Sequence, residues 1–181
     1  MTTAAKLPEG SRLGEVHLAV TDEARSLRFW SEVLGLVELS RVDGGVRLGS
    51  PASDGKALVV LHPGASTPVV RRRTGLYHVA LHVPTRPELA RVIARLFTAR
   101  YSNAPTDHLV SETTYLDDPD GNGIELTLET PHRGEFLPEP IGQMMARTTD
   151  GELHSGREAV DLESLFAELD ASADLTAPLV S

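Results

Sequence analysis

From residue 15 to residue 20 the chain alternates. Val16, Leu18 and Val20 are apolar, and Glu15, His17 and Ala19 stand between them. Successive side chains point to opposite faces of a strand, so this stretch predicts a strand with one face on a core and Glu15 and His17 on the other. The period then changes. Leu27, Trp30, Val33 and Leu34 fall on one face of a helix, and Gly35 supplies a stop. Short strand candidates follow at 37–41, 45–49 and 57–62, separated by the turn-forming stretches DGG and PASDGK.

The same order of patterns then recurs. LYHVALHVPTRPELARVIARLF, residues 76–97, has a strand-like start that ends at Val83, as the first ends at Val20. Thr85 and Glu88 have the spacing of a capping box, and Leu89, Val92, Ile93 and Leu96 follow at helical spacing. Strand candidates come at roughly 100–103, 110–117 and 123–129, separated by NAPTD and DPDG. Each copy reads βαβββ, and two such units can close a mixed sheet over a shared cleft. The expected fold is α+β, a domain over 1–130 with modules at about 12–63 and 75–130.

Residues 131–181 differ. They open on PHRGEFLPEP and run on acidic. A short amphipathic helix is expected at 161–170, where Leu162, Leu165, Phe166 and Leu169 share a face; so short a helix should dock on something. The final ASADLTAPLVS reads as a frayed tail.

Composition narrows the function classes. The 181 residues carry 17 Lys and Arg against 26 Asp and Glu, a net charge of −9, which argues against nucleic acid or an anionic membrane as partner. The one basic run, Arg71-Arg72-Arg73, sits in a linker-like stretch and reads as solvated surface. Aromatics are 4%, too few for a base-stacking platform. With no cysteine there is no disulfide framework and no thiolate chemistry. No apolar run approaches the ~18 residues of a membrane span, and MTTAAKLPEG lacks a signal-peptide core. A cytoplasmic protein is the expectation.

The candidate chemistry lies in histidines and carboxylates. His78 and His82 share one strand face, and Glu125 stands between Ile124 and Leu126. A carboxylate in an apolar strand is costly unless it is solvated, paired or bound to metal. If Glu125 faces the concave side, it faces the first strand of each module, which offers Glu15 or His17, and His78. One imidazole with one or two carboxylates suits a divalent ion such as Fe(II), Mn(II) or Zn(II). Asp118 and Asp120 read as turn formers, and His132 and His154 as surface residues.

The paired modules, YHVAL and DPDGNGIEL resemble the vicinal oxygen chelate superfamily, which includes glyoxalases, bleomycin resistance proteins and extradiol dioxygenases. The stretch TDHLVSETTYLDDPDGNGIE, residues 106–125, is similar to the extradiol ring-cleavage signature, with His108, Tyr115, Pro119, Gly121 and Glu125 at its fixed places and Thr114 where an aliphatic residue is usual. The resemblance is closest to the catechol 2,3-dioxygenase-like branch. It implies cleavage of a catechol-like aromatic by O2 at a divalent metal, Fe(II) first, with Mn(II), Zn(II) or Ni(II) as alternatives. It implies metal ligands from the first strand of each module and the last strand of the second. Five residues before Val83 stands His78; five before Val20 stands Glu15, where the family usually has His, and His17 is the alternative first ligand. Aligned on the DG pairs, Val59 falls opposite Glu125, and His62 is a spare candidate only if that alignment slips by three. His108 is the expected acid/base and Tyr115 the expected hydrogen-bond donor to substrate. In that branch a similar acidic linker leads to a second module pair, so a homodimer or a half-length design is expected, the helix at 161–170 covering another subunit. The alternatives are a glyoxalase-type isomerase or lyase using a glutamate base, and a non-catalytic small-molecule or antibiotic binder.

Overall fold

The computed structural model describes residue 8 and residues 10–70, 73–138 and 145–181. Arg71 and Arg72 of the basic run lie outside the described residues. The first module runs β1 (Val16–Val20), α1 (Glu23–Arg28), β2 (Val37–Val42), β3 (Gly45–Gly49) and β4 (Val59–Pro63). The second runs β5 (Val79–His82), α2 (Arg86–Thr98), β6 (Ala104–Asp107), β7 (Ser111–Asp117) and β8 (Gly123–Glu129). Each builds a mixed sheet in the same order: β1-β4-β3-β2 in one, β5-β8-β7-β6 in the other, with β1–β4 and β5–β8 the parallel pairs. The architecture is the α+β fold of two βαβββ units, with open sheets rather than a closed barrel.

The alternation of the sequence is what positions these elements. Leu18, Val20, Val59 and Leu61 of one sheet, and Val79, Leu81, Ile124 and Leu126 of the other, are buried against the helices in one continuous core. Asp22 caps α1 by accepting from the Arg25 N–H at 3.0 Å. That helix ends in a wide π turn over Phe29–Val33, with Trp30 and Leu34 fully buried, before Gly35 turns the chain at φ +88°. Thr85 caps α2, its Oγ1 accepting from the Glu88 N–H at 3.3 Å, so one half of the expected capping box forms. The Glu88 carboxylate instead binds Arg91 and accepts from the Val180 N–H at 2.9 Å.

That last contact corrects the reading of the tail. Leu179 is fully buried in the common core, and its N–H donates to the Gly35 carbonyl at 2.7 Å. Arg91 and Arg95, four residues apart on the buried side of α2, donate to the carbonyls of Leu175, Ala177 and Pro178. A segment whose backbone carbonyls are held by two buried guanidiniums does not fray. The short helix α3 (Leu162–Phe166) is capped by Asp161 and docks on α2 of its own chain, with Phe166 edge-on to Phe97 at 6.0 Å between ring centres.

The strand expected at 100–103 lies instead at 104–107. Arg100 takes φ +52° to end α2, and the Tyr101 N–H closes back on Leu96 at 2.8 Å. The rest of the extension forms a small sheet, β11-β10-β9 (Leu153–His154, Ala146–Thr148, Gly134–Phe136), and β12 (Glu158–Ala159). β12 pairs with β6 and makes the second sheet five-stranded.

The modules are also stapled by Asp120. Its buried carboxylate accepts from the Thr21 N–H and hydroxyl at 3.0 and 2.5 Å and from Arg25 at 2.8 Å. Asp118 is the turn former, its Oδ1 accepting the N–H groups of Asp120 and Asn122. Burial is the leading influence on that carboxyl and raises its pKa.

Candidate functional site

The outer face of the second sheet carries a row of polar residues, Glu125 in β8, Tyr115 in β7, His78 just before β5 and His108 just after β6. Register sets this: Tyr115 lies opposite Glu125, and Glu125 opposite Ala80, two residues from His78. The side chains join in a row. His78 Nε2 is 2.9 Å from Glu125 Oε2. The Tyr115 hydroxyl is 2.9 Å from Glu125 Oε1 and 2.9 Å from His108 Nε2. His108 is buried, and its Nδ1 is 2.5 Å from the Gly156 carbonyl of the extension.

Hydrogen-bond arithmetic constrains the protons in this row. A carbonyl only accepts, so Nδ1 of His108 carries a proton. Tyr115 has one proton and two neighbours. If it donates to Glu125, then His108 Nε2 also donates and the ring is an imidazolium. If it donates to Nε2, the carboxyl of Glu125 must carry a proton. With every contact made, the row holds one proton more than a neutral imidazole beside a carboxylate. Burial first, and then the hydrogen bond to Glu125, pushes the Tyr115 phenol well above its ordinary pKa, so it stays a donor.

Two cavities flank the row. One of about 720 Å³ is lined by His78, Tyr101, Asn103 and Tyr115. The other, of about 550 Å³, is lined by His78, His108, Tyr115, Thr106 and Arg157. Tyr77, 88% exposed and 4.8 Å from the His78 ring, borders both.

The first module arranges its equivalent face differently. Glu15 Oε2 accepts from Arg47 Nη2 at 2.7 Å and Nε at 3.1 Å, and Glu15 Oε1 lies 3.5 Å from His17. The Arg47 hydrogen bonds are the leading influence on the Glu15 carboxyl and hold its pKa below the usual value. His17 and His62 meet at 2.7 Å with stacked rings. Among the described residues no three of His, Asp and Glu stand close enough together to hold a metal ion. The structure therefore joins His78, Glu125, Tyr115 and His108, and leaves Glu15 and His17 in a separate cluster. Register also corrects the pairing across modules: His17 lies opposite Val60 as Ala80 lies opposite Glu125, so Val60, not Val59, is the counterpart of Glu125. His62 reaches the outer face without any slip of three. His82 faces Glu129 loosely at 3.9 Å, and His154 is half-buried, 3.5 Å from Glu158 and accepting from the Gly156 N–H. Two residues missed in the sequence, Arg157 and the Gly156 carbonyl, come from the extension, where no periodicity marks them.

This fold and site define a class. Residues 12–126 match the Glyoxalase/Bleomycin resistance protein/Dioxygenase superfamily, and the chain belongs to that family. A catechol-2,3-dioxygenase of Bacillus subtilis is 36% identical over 163 residues, which cover 88% of this chain and 53% of that protein; the chain thus matches about half the length of its relative. A glyoxylase/bleomycin resistance protein/dioxygenase domain from Frankia sp. EAN1pec superposes with a TM-score of 0.56 at 27% identity, covering 66% of this chain and 92% of that one. The lactoylglutathione lyase of Agrobacterium tumefaciens shares the fold, with a TM-score of 0.51 at 20% identity over 67% of this chain and 96% of that one. No helix among the described residues is long and apolar enough to cross a membrane.

Proposed function

We propose that this protein is a metal-dependent dioxygenase of the extradiol type, cleaving a catechol-like aromatic with O2. The observation that carries the reading is the row His78–Glu125–Tyr115–His108, with contacts of 2.9 Å from end to end. The likeness to a catechol-2,3-dioxygenase supports it.

His78 and Glu125 fit a divalent ion: an imidazole nitrogen and a carboxylate oxygen aimed at one another, where a cation can replace the shared proton. The first-module place fits only if Glu15 exchanges Arg47 for the ion, and His17 is the alternative there. An ion at this site supplies charge that holds two vicinal oxygens of the substrate and the charge that develops on them. Fe(II) is the ion we propose, ahead of Mn(II), Zn(II) and Ni(II). Tyr115 orients a substrate oxygen by hydrogen bond. His108, one bond further on, takes and returns a proton through the Tyr115 hydroxyl. A homodimer in the cytoplasm belongs to the same reading.

The test is metal content and affinity of anaerobically purified protein, beside His78→Ala and Glu125→Ala, followed by catechol cleavage assays. Stoichiometric metal lost in both variants, with ring cleavage in the parent, is the expected result. A parent protein with no specific metal would sink the reading. The Glu15–Arg47 ion pair favours a second reading, a protein of this fold that binds a small aromatic without chemistry. Metal-independent binding of catechol with no turnover would establish it.

A further inference from the structure

The row on the second sheet has an end that the reaction does not use. β12 pairs antiparallel with β6, Glu158 opposite Asp107 and Ala159 opposite Thr106. Continuing that register places Arg157 opposite His108. Residues directly opposite share a face, so Arg157 stands next in line after His78, Glu125, Tyr115 and His108. The segment is firmly set on both sides. Gly156 is buried and bound to His108, Arg157 is exposed, and Glu158 and Ala159 are in the sheet. The Arg157 N–H donates to Ser155 Oγ at 3.2 Å, and Ser155 contacts Glu158 at 3.2 Å.

The Arg157 guanidinium itself makes no hydrogen bond or ion pair among the described residues, yet it lines the 550 Å³ cavity with His78, His108 and Tyr115. Several arginines of the fold's framework are matched, Arg25 by Asp120, Arg86 by Glu112 and Arg133 by Asp107. The charge of Arg157 reaches Tyr115, where it opposes the upward pull on the phenol. A planar fork of five donors left open beside a small, partly aromatic cavity is suited to a carboxylate. From β8 to β12 is three strand spacings, ~14 Å. That span, from Glu125 at one end to Arg157 at the other, is enough for one substituted ring.

We propose that Arg157 is a specificity-determining residue, and that the substrate is an aromatic carrying a carboxylate on the side away from the reacting oxygens. The extension is then part of the site: it delivers the cation that reads the far end of the substrate. This inference rests on the dioxygenase reading for which end of the substrate reacts, but the anion subsite is testable by itself.

The experiment is anaerobic calorimetry with three probes: unsubstituted catechol, a catechol bearing an acetate arm, and phenylacetate, which has no diol. The proteins are the parent, Arg157→Gln and Arg157→Lys. A charge-assisted pair predicts that the acidic catechol binds about tenfold or more tighter than catechol to the parent. Arg157→Gln should abolish that preference and leave catechol binding unchanged, and Arg157→Lys should keep part of it. Phenylacetate should bind more weakly, with the same dependence on Arg157. Equal affinity for acid and neutral probes, a preference that survives Arg157→Gln, or no binding of either acid would overturn the proposal. Phenylacetate binding as well as the acidic catechol, both through Arg157, would uphold the subsite while counting against the diol-cleaving reading.

Discussion

Strand register lays the two modules over one another residue for residue. Glu15 stands where the second module has His78, Arg47 where it has Tyr115, and Val60 where it has Glu125. The inward faces kept their apolar alternation; the outward faces diverged. In the first module a guanidinium answers a carboxylate within one sheet, and the face is neutral by itself. In the second, a carboxylate is answered only by an imidazole and a phenol, groups that exchange protons. The difference teaches that one scaffold becomes either a closed ion pair or an open reactive row by changes at three outward positions.

The sharpest way to break the comparison is Glu125→Ala. Activity should fall by at least ~10³-fold with loss of bound metal, while circular dichroism stays that of the parent. Glu15→Ala should weaken metal binding by about tenfold; unchanged affinity would remove Glu15 from the ligand set. Next, Tyr115→Phe should lower kcat by about 10²-fold with metal content preserved, and equal kcat would make Tyr115 a wall residue. Asp120 and Asp54 sit in matching Asp-Gly turns, yet Asp120 is buried on Arg25 and Thr21 and Asp54 is exposed. Asp120→Ala should cost about 2–3 kcal/mol, less than a fully buried pair because Arg25 is 43% exposed. Asp54→Ala should stay within about 0.5 kcal/mol, both read from urea midpoints. The last variant is Arg47→Met. Freed of its partner, Glu15 should raise metal affinity several-fold; lower affinity would mean that Arg47 supports the site rather than competes with it.

Much of this was legible in the chain. Alternation in the first strand and the turn-forming stretches between the later ones locate seven of the eight module strands, and the repeated pattern locates the modules. His78, Glu125, Tyr115 and His108 stood out because their spacing matches a known signature. The misplaced strand had no pattern: Tyr101, Ser102 and Asn103 are a loop fixed by an N–H of Tyr101 and by the side-chain bond of Asn103 back to the Tyr101 carbonyl. Matching the Asp-Gly turns of the two modules puts Val59 opposite Glu125. From Gly55 to Val60 is one residue more than from Gly121 to Glu125, and only cross-strand pairing exposes a one-residue slip that exchanges faces. Arg91 and Arg95 fall outside the apolar stripe of α2, on a side that the pattern leaves to solvent; the C-terminal segment covers that side and supplies the buried acceptors. Asp120 looked like its neighbour Asp118 because a turn and a cross-module staple use the same residue type.

The bond from Leu179 to Gly35 has a consequence in time. At ribosomal rates of roughly 5–20 residues per second, about 7 to 29 seconds pass between synthesis of these two residues. Until then the floor beneath Gly35 and α2 lacks the side chain that fills it, and Arg91 and Arg95 lack the carbonyls that receive them. Until residues 175–179 arrive, the side of α2 that carries Arg91 and Arg95 faces water, so the burial of those guanidiniums and the closing of the core over Gly35 are late events of folding.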